Sequence, residues 1–276
     1  MLILAATPIG NLSDASARLI EHLGVIKYIA AEDTRTLLKL ARGLNVSLDA
    51  KLFSLHEHNE ADRVAQLLEI AQDEDVLVVS DAGMPTVSDP GFVLVRAAIE
   101  AGIAVTVIPG PSAVLAALAV SGLPTDRFSF EGFLPRKSGE RKKLFLELVT
   151  DPRTLIFFES PHRIGQSLKD AAGVFGERRA SVSRELTKKF EQTVRGTLQE
   201  LAIWAEEEPR GEIVLVIQGS TEVITRDVNS SDLLDEVESI RGTGLSLKQS
   251  VAEVAARYSV SKSELYQAVL DARDKD

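Results

Sequence analysis

One stretch, residues 76–113 (VLVVSDAGMPTVSDPGFVLVRAAIEAGIAVTVIPGPSA), limits the fold of this chain more than any other. Val76–Val79 is an unbroken apolar run of buried-strand length. Asp81–Pro90 is so dense in Gly, Pro, Ser and Asp that it must be loop. Phe92–Ala101 has helical spacing, with Gly102 placed to end the helix, and Val105–Ile108 is the next strand. Pro109-Gly110-Pro111-Ser112 then turns into an Ala-rich apolar helix over 113–120, with Ser112 as candidate N-cap. A β-α-β unit with two glycine loops at strand carboxyl ends predicts an open α/β sheet that binds a ligand at that edge.

The flanking residues repeat the pattern. Leu2–Ala6 reads as a strand, 7–11 as a tight loop, and Ser13 or Asp14 as the cap of a helix to about His22. Strand Tyr28–Ala31 ends at Glu32-Asp33-Thr34-Arg35, and helix Thr36–Arg42 is stopped by Gly43. Strand Lys51–Leu55 ends at His56-Glu57-His58-Asn59, and a helix covers 60–72. Strands alternating with helices predict a largely parallel sheet. Residues 121–143 change character and mark a boundary. Beyond it come helix 140–149, strand Thr154–Phe158, loop Glu159–Arg163, helix 164–175, strand Arg179–Ser183, a charged stretch Arg184–Thr193, helix Leu198–Glu207 and strand Ile213–Gln218. These strands are close enough in sequence to pair antiparallel. Residues 220–230 read as a linker, and 231–276 as an all-helical tail resembling a helix-turn-helix, with Ser261 and Glu264 as a capping-box pair.

Apolar residues make up 45% and charged residues 26% of the 276, which fits a globular protein with a real core. No apolar run nears the ~20 residues of a membrane helix, and Met1–Ala6 lacks a basic leader, so the expected compartment is the cytoplasm. The absence of cysteine excludes disulfides and thiolate metal sites. A net charge of −10 argues against general nucleic-acid affinity. Locally, Arg136, Lys137, Arg141, Lys142 and Lys143 stand against Glu140 alone, which suits an anionic partner or a solvated helix start.

Neither GxGxxG after the first strand nor GxxxxGK(S/T) is present, so the usual dinucleotide and phosphate-loop fingerprints are missing. Asp81 could bind an amine or ribose, or cap its own loop. Glu32-Asp33 could cap the next helix or handle a proton. His56 and His58 lack a third ligand, and no metal site is expected. Arg184, Glu185, Lys188, Lys189 and Glu191 alternate in sign, as an exposed salt-bridged stretch or a substrate-facing cluster would.

The segments TPIGNLSD (7–14), AEDTR (31–35), SLHEHNE (54–60), SDAGMPTVSDPG (80–91), PGPSA (109–113), GFLPRK (132–137), FFESPHR (157–163), SRELTKKFE (183–191) and GEIVLVIQG (211–219) together resemble the ribosomal small-subunit RNA methyltransferase I family. That family falls in the tetrapyrrole-methylase-like class of S-adenosylmethionine enzymes. The resemblance implies an α/β, two-domain, tetrapyrrole-methylase-like (class III) methyltransferase with a small C-terminal helical domain, divided at 1–122, 123–222 and 228–276. It implies a homodimer that methylates the ribose 2′-hydroxyl of a cytidine in the decoding centre of small-subunit ribosomal RNA. Donor contacts would come from Pro8, Ile9, Asp81, Ala82, Gly83, Met84, Ser112, Ala113, Phe158 and Glu159.

Related porphyrin methylases carry a GxGxG first loop, where this chain has Thr7-Pro8-Ile9-Gly10-Asn11, so RNA is the favoured acceptor. Asp33, Glu185 and Lys188 are the expected catalytic residues, because a ribose hydroxyl gains from a base or a polarising cation. Asn11 and His162 would orient the nucleotide, while Arg136, Lys137, Arg141, Lys142, Lys143 and Arg163 would hold phosphates. The alternatives are a tetrapyrrole or diphthamide-type methylase of the same fold, and a non-enzymatic RNA-binding ribosome-assembly protein.

Overall fold

A computed structural model describes residues 1–56, 59–221, 231–242, 244–258 and 260–273. Glu57, His58 and residues 222–230, the body of the expected linker, lie outside the described residues.

The first layer is a five-stranded, wholly parallel sheet of β1 (Leu2–Ala5), β2 (Tyr28–Ala31), β3 (Lys51–Ser54), β4 (Val76–Val79) and β5 (Val105–Ile108), in the order β3-β2-β4-β1-β5. Its helices are α1 (Ala17–Val25), α2 (Thr34–Gly43), α3 (Glu60–Asp73), α4 (Phe92–Glu100) and α5 (Ala113–Ser121). Successive strand residues point to opposite faces. Ile3, Ala5, Ile29, Leu77 and Val79 therefore pack on Leu19 and Leu23 of α1 and Leu37 of α2. Leu2, Ala30, Val76 and Val78 pack on Leu67 of α3 and on Leu94 and Ala98 of α4. Both faces of the central strands are covered, which is why β1, β2 and β4 are almost wholly apolar rather than alternating, while the edge strands β3 and β5 carry exposed residues.

The second sheet holds β6 (Phe128–Phe133), β7 (Thr154–Glu159), β8 (Arg179–Arg184), β9 (Gln192–Thr197) and β10 (Ile213–Ile217), in the order β6-β7-β10-β8-β9. β6 runs parallel to β7, and the other pairs are antiparallel. One face packs on α6 (Ser138–Glu147), α7 (Ile164–Phe175) and α8 (Leu198–Trp204), with Phe145, Phe157, Leu168, Leu201 and Leu215 at its centre. The other face sets Ile156, Val214 and Val216 against Val114, Ala117 and Leu118 of α5. The apolar α5, which follows β5 of the first sheet in the chain, thereby packs on the second sheet.

The structure moves several expected boundaries. Ser16, not Ser13 or Asp14, caps α1, and residues 12–14 form a short 3-10 turn capped by Asn11. Strands β6 and β9 fall in stretches expected to be irregular or merely charged. The tail, a separate compact unit, contains α9 (Ser231–Arg241), α10 (Leu247–Tyr258) and α11 (Lys262–Arg273) around Leu233, Val237, Val251, Val254, Leu265 and Val269. The Ser261 hydroxyl accepts the Glu264 N–H at 3.4 Å, the hydroxyl half of the expected capping box. No described helix is long and apolar enough to cross a membrane.

Candidate active site

The carboxyl ends of β1, β4, β5 and β7 meet the amino end of β10 around a cavity of about 370 Å3. That volume lies in the range of small-molecule sites. Ile9 lines it from the loop after β1; Ala82, Gly83, Met84, Val87, Ser88 and Asp89 from the loop after β4; and Ser112, Ala113 and Val114 from the start of α5. The second layer contributes Phe133, Phe158 to Pro161, Leu186 and Gly211 to Val214.

The loop after β4 is tightly fixed. Thr7 and Gly83 exchange backbone hydrogen bonds of 2.8 and 3.1 Å, with Gly83 at φ +83°. Thr86 (φ 75°) and Ser88 (φ 63°) hold left-handed backbone, a strain that only a well-determined loop retains. The N–H groups of Gly91 and Leu94 donate to Glu60 Oε1 at 3.0 and 3.1 Å, so a buried carboxylate on α3 caps α4. In the loop after β5, a Cβ on Gly110 would lie 3.0 Å from that of Ala6, tighter than side chains normally pack. Ser112 occupies the N-cap of α5 but its side chain makes no capping bond to the first-turn N–H groups of α5 at the cavity wall.

On the opposite wall, buried Glu159 accepts the Ser160 N–H at 2.7 Å and the Ser167 hydroxyl at 2.6 Å, and pairs with Arg163 at 2.6 Å. Phe158 meets Phe130 and Phe133 edge to face, at centroid distances of 4.8 and 5.3 Å. Lys188 Nζ is 2.9 Å from both Glu185 Oε1 and Glu212 Oε2. Burial works against the Lys188 ammonium, but its bonds to Glu212 and Glu185 prevail and hold its pKa above the ordinary value. The Lys188 hydrogen bond, then the Glu212 N–H, hold Glu185 below the usual carboxylate range. Two glycines make room for this knot: a Cβ on Gly10 would lie 2.5 Å from Lys188 Cγ, and one on Gly211 would collide with Glu185.

Three carboxylates gather at the loop after β4. The Glu32 carboxylate accepts the Asp81 N–H, and that of Asp81 accepts the Asp33 N–H, each at 3.1 Å. Burial raises the pKa of both. Asp89 is pushed up to about 7, by burial first and then by Glu32, with Ser80 as an opposing hydrogen-bond partner.

Of the expected donor residues, Ile9, Ala82, Gly83, Met84, Ser112, Ala113, Phe158 and Glu159 line this cavity; Pro8 and Asp81 sit beside lining residues without facing it. Glu185 and Lys188 come together at its edge through Glu212. Asp33 does not join them. It caps α2 through the Arg35 N–H and pairs with the Arg35 guanidinium, whose hydrogen bond holds it near pKa 2.

Among the expected RNA contacts, Arg136, Lys137, Lys142 and Lys143 are exposed around the start of α6, and His162 is exposed beside Pro161. Asn11 spends its side-chain oxygen on the Ser13 N–H. Arg163 is held by Glu159, Ser160 and the Leu134 carbonyl. Arg141 must be withdrawn from the phosphate set. It is 2% exposed, and its guanidinium is taken up by Asp170 and by the carbonyls of Pro135 and Arg136. Sequence reasoning missed Asp89, Leu186, Glu212 and Phe133 as lining residues. For Asp89 the cue was present, since it lies in the same loop as Ala82–Met84.

A doubly wound parallel sheet, glycine loops after two central strands and a mixed sheet joined to it through α5 define a methylase of the tetrapyrrole type. Residues 1–202 match the family described as tetrapyrrole (corrin/porphyrin) methylases. At the level of fold, the solved methyltransferase CobJ is similar with a TM-score of 0.60 and 18% identity, over 79% of this chain and 94% of that one. Curated relatives are narrower. A protein of Mycobacterium tuberculosis (strain CDC 1551 / Oshkosh) named ribosomal RNA small subunit methyltransferase I is 46% identical over 99% of this chain and 95% of its own length. One of the same name from Escherichia coli O157:H7 is 41% identical over 98% and 94%. The chain belongs to the ribosomal RNA small subunit methyltransferase I family and is a methyltransferase enzyme.

Proposed function

We propose that this enzyme transfers a methyl group from S-adenosylmethionine to small-subunit ribosomal RNA, at the 2′-hydroxyl of a cytidine ribose in the decoding centre, as a cytoplasmic homodimer. The observation that carries this reading is the cavity at the carboxyl edge of the parallel sheet, framed by the Gly83 loop and the amino end of α5. Its chemistry fits each part of the donor. The amino end of α5, which the Ser112 side chain does not cap, suits a carboxylate. Phe158, Leu186 and Val214 offer an apolar wall for a purine. The carboxylates of Glu32 and Asp81 favour a cationic ligand next to the loop.

When bound, the donor supplies a methyl group already activated by its sulfonium. The protein's task is therefore mainly to hold nucleophile and methyl in line. The Gly83 loop and α5 fix one reactant. Lys188 is kept charged between Glu185 and Glu212 beside the cavity, and its three N–H donors exceed these two carboxylate partners, so one can serve the ribose hydroxyl. Arg136, Lys137, Lys142 and Lys143 extend the positive edge for an RNA backbone on an otherwise acidic chain. Self-association is supported by Phe92 and Ile99 of α4, both 63% exposed, with Val107 half exposed on the edge strand β5.

Incubating the protein with labelled S-adenosylmethionine and either small ribosomal subunits or a porphyrinogen tests the proposal. Label on a cytidine ribose after nuclease digestion is the expected result. Label on porphyrinogen, or on a base, contradicts it.

A further inference from the structure

We propose that Asp89 is a catalytic residue of this site, the general base that takes the proton of the ribose hydroxyl. The inference rests on the methyl-transfer reading above. The carboxylate of Asp89 accepts the hydroxyl proton as the ribose oxygen forms its bond to the methyl carbon. The carbon–sulfur bond breaks with its electron pair staying on sulfur, so that a ribose methyl ether, a neutral thioether and a protonated Asp89 result.

Asp89 lines the cavity on the same loop as Ala82, Gly83 and Met84. That loop is fixed at both ends, by the Thr7–Gly83 backbone pair and by the Glu60 cap under Gly91. The left-handed backbone at Thr86 and Ser88 and the Thr86 N–H to Pro90 carbonyl bond hold the turn that carries Asp89. A base on such a turn loses little to reorganisation.

The other carboxylates of the site are committed. Glu159 accepts from Ser160 and Ser167 and pairs with Arg163. Glu185 and Glu212 hold Lys188. Glu32 and Asp81 accept backbone N–H groups. Asp33 is held ionised by Arg35 and is a poor proton acceptor. Among the described residues, the side-chain partner of Asp89 is the Ser80 hydroxyl, which also lies 3.3 Å from the Gly83 carbonyl.

Its electrostatic setting agrees. The charged groups that face Asp89 are Glu32 from the end of β2 and Asp81 from its own loop, with Asp33 and Arg35 beyond them. Burial and these neighbours bring Asp89 to about 7, where a base combines availability with proton affinity near neutral pH. The same shift leaves a mark on stability. The native chain keeps a proton that the unfolded chain releases near the ordinary carboxylate value, so the contribution of Asp89 to stability falls as pH rises from about 4 to about 7.

The test compares wild type, Asp89→Asn and Asp89→Glu in single-turnover transfer from S-adenosylmethionine to small ribosomal subunits across pH. Calorimetry with S-adenosylhomocysteine and thermal melting of the unliganded chain accompany it. The expected result for Asp89→Asn is a rate lower by on the order of 100-fold or more above neutral pH, with the limb near 7 gone from the rate profile. Affinity for S-adenosylhomocysteine stays unchanged, the melting temperature loses part of its decline with pH, and Asp89→Glu restores part of the rate. A wild-type rate profile in Asp89→Asn overturns the proposal, as does an S-adenosylhomocysteine affinity that falls in step with the rate, or an unchanged pH slope of melting. A wild-type chain that binds S-adenosylhomocysteine but methylates no subunits overturns the methyl-transfer reading and this one with it.

Discussion

At the scale of single residues, the glycines beside the cavity act by making room. Gly10 has a φ of +152° and lies under the stem of Lys188, with 2.5 Å from a would-be Cβ to Lys188 Cγ. Gly10→Ala should push that stem aside, separate Lys188 from Glu212, and cost about 1–3 kcal/mol of stability. Urea denaturation and transfer assays check this: the rate should fall while S-adenosylhomocysteine affinity holds. Loop glycines of this kind were legible in the sequence because turn chemistry is local. The partners of Gly10 were not, since Lys188 lies far along the chain and only folding brings them together. The same limit explains why Glu60 read as an ordinary helix residue although it caps α4 across a sequence gap of 31, and why the sign-alternating stretch 184–191 left its pairing open.

At the scale of elements, the basic run before and within α6 is anchored by an ion pair rather than laid loosely in solvent. Asp170 on α7 receives Arg141, Ser138 and Gln166, and these bonds outweigh the opposing effect of burial and hold its carboxyl below the ordinary value. Arg141→Leu should destabilise by about 3 kcal/mol, because it leaves the buried Asp170 carboxylate with only the more distant, half-exposed Lys142 as a cation, and adding Asp170→Leu should recover most of that loss. The stabilisation from Asp170 is present above the unfolded carboxylate pKa and is lost as pH falls through its lowered folded value, which denaturation at acid pH would record. Composition alone made Arg141 one more surface cation; only its place on the inner face of α6 separates it from Lys142 and Lys143. Central strands such as Val76–Val79 announced themselves by unbroken apolarity. Edge strands β6 and β9 have one neighbour each and carry Gly132, Gly196 and charged residues, so they did not.

At the scale of the whole molecule, the apolar helix that follows the first sheet packs on the second, and the ligand cavity lies where the loops of the two sheets meet. Nothing in the local pattern distinguishes this arrangement from two independent domains; the unusual all-round apolarity of Ala113–Val120 was the one hint. Exposed Phe92 and Ile99 give the dimer proposal a test. Phe92→Glu with Ile99→Lys should shift the protein from dimer to monomer in sedimentation without lowering its melting temperature by much, since neither side chain belongs to the core. The most direct test of the whole is a crystal structure with S-adenosylhomocysteine bound. Its carboxylate should lie at the amino end of α5 beside Ser112, with the purine against Phe158 and Leu186. Density for the compound at any other place, with this cavity filled only by water, would contradict the assignment of the cavity as the methyl-donor site.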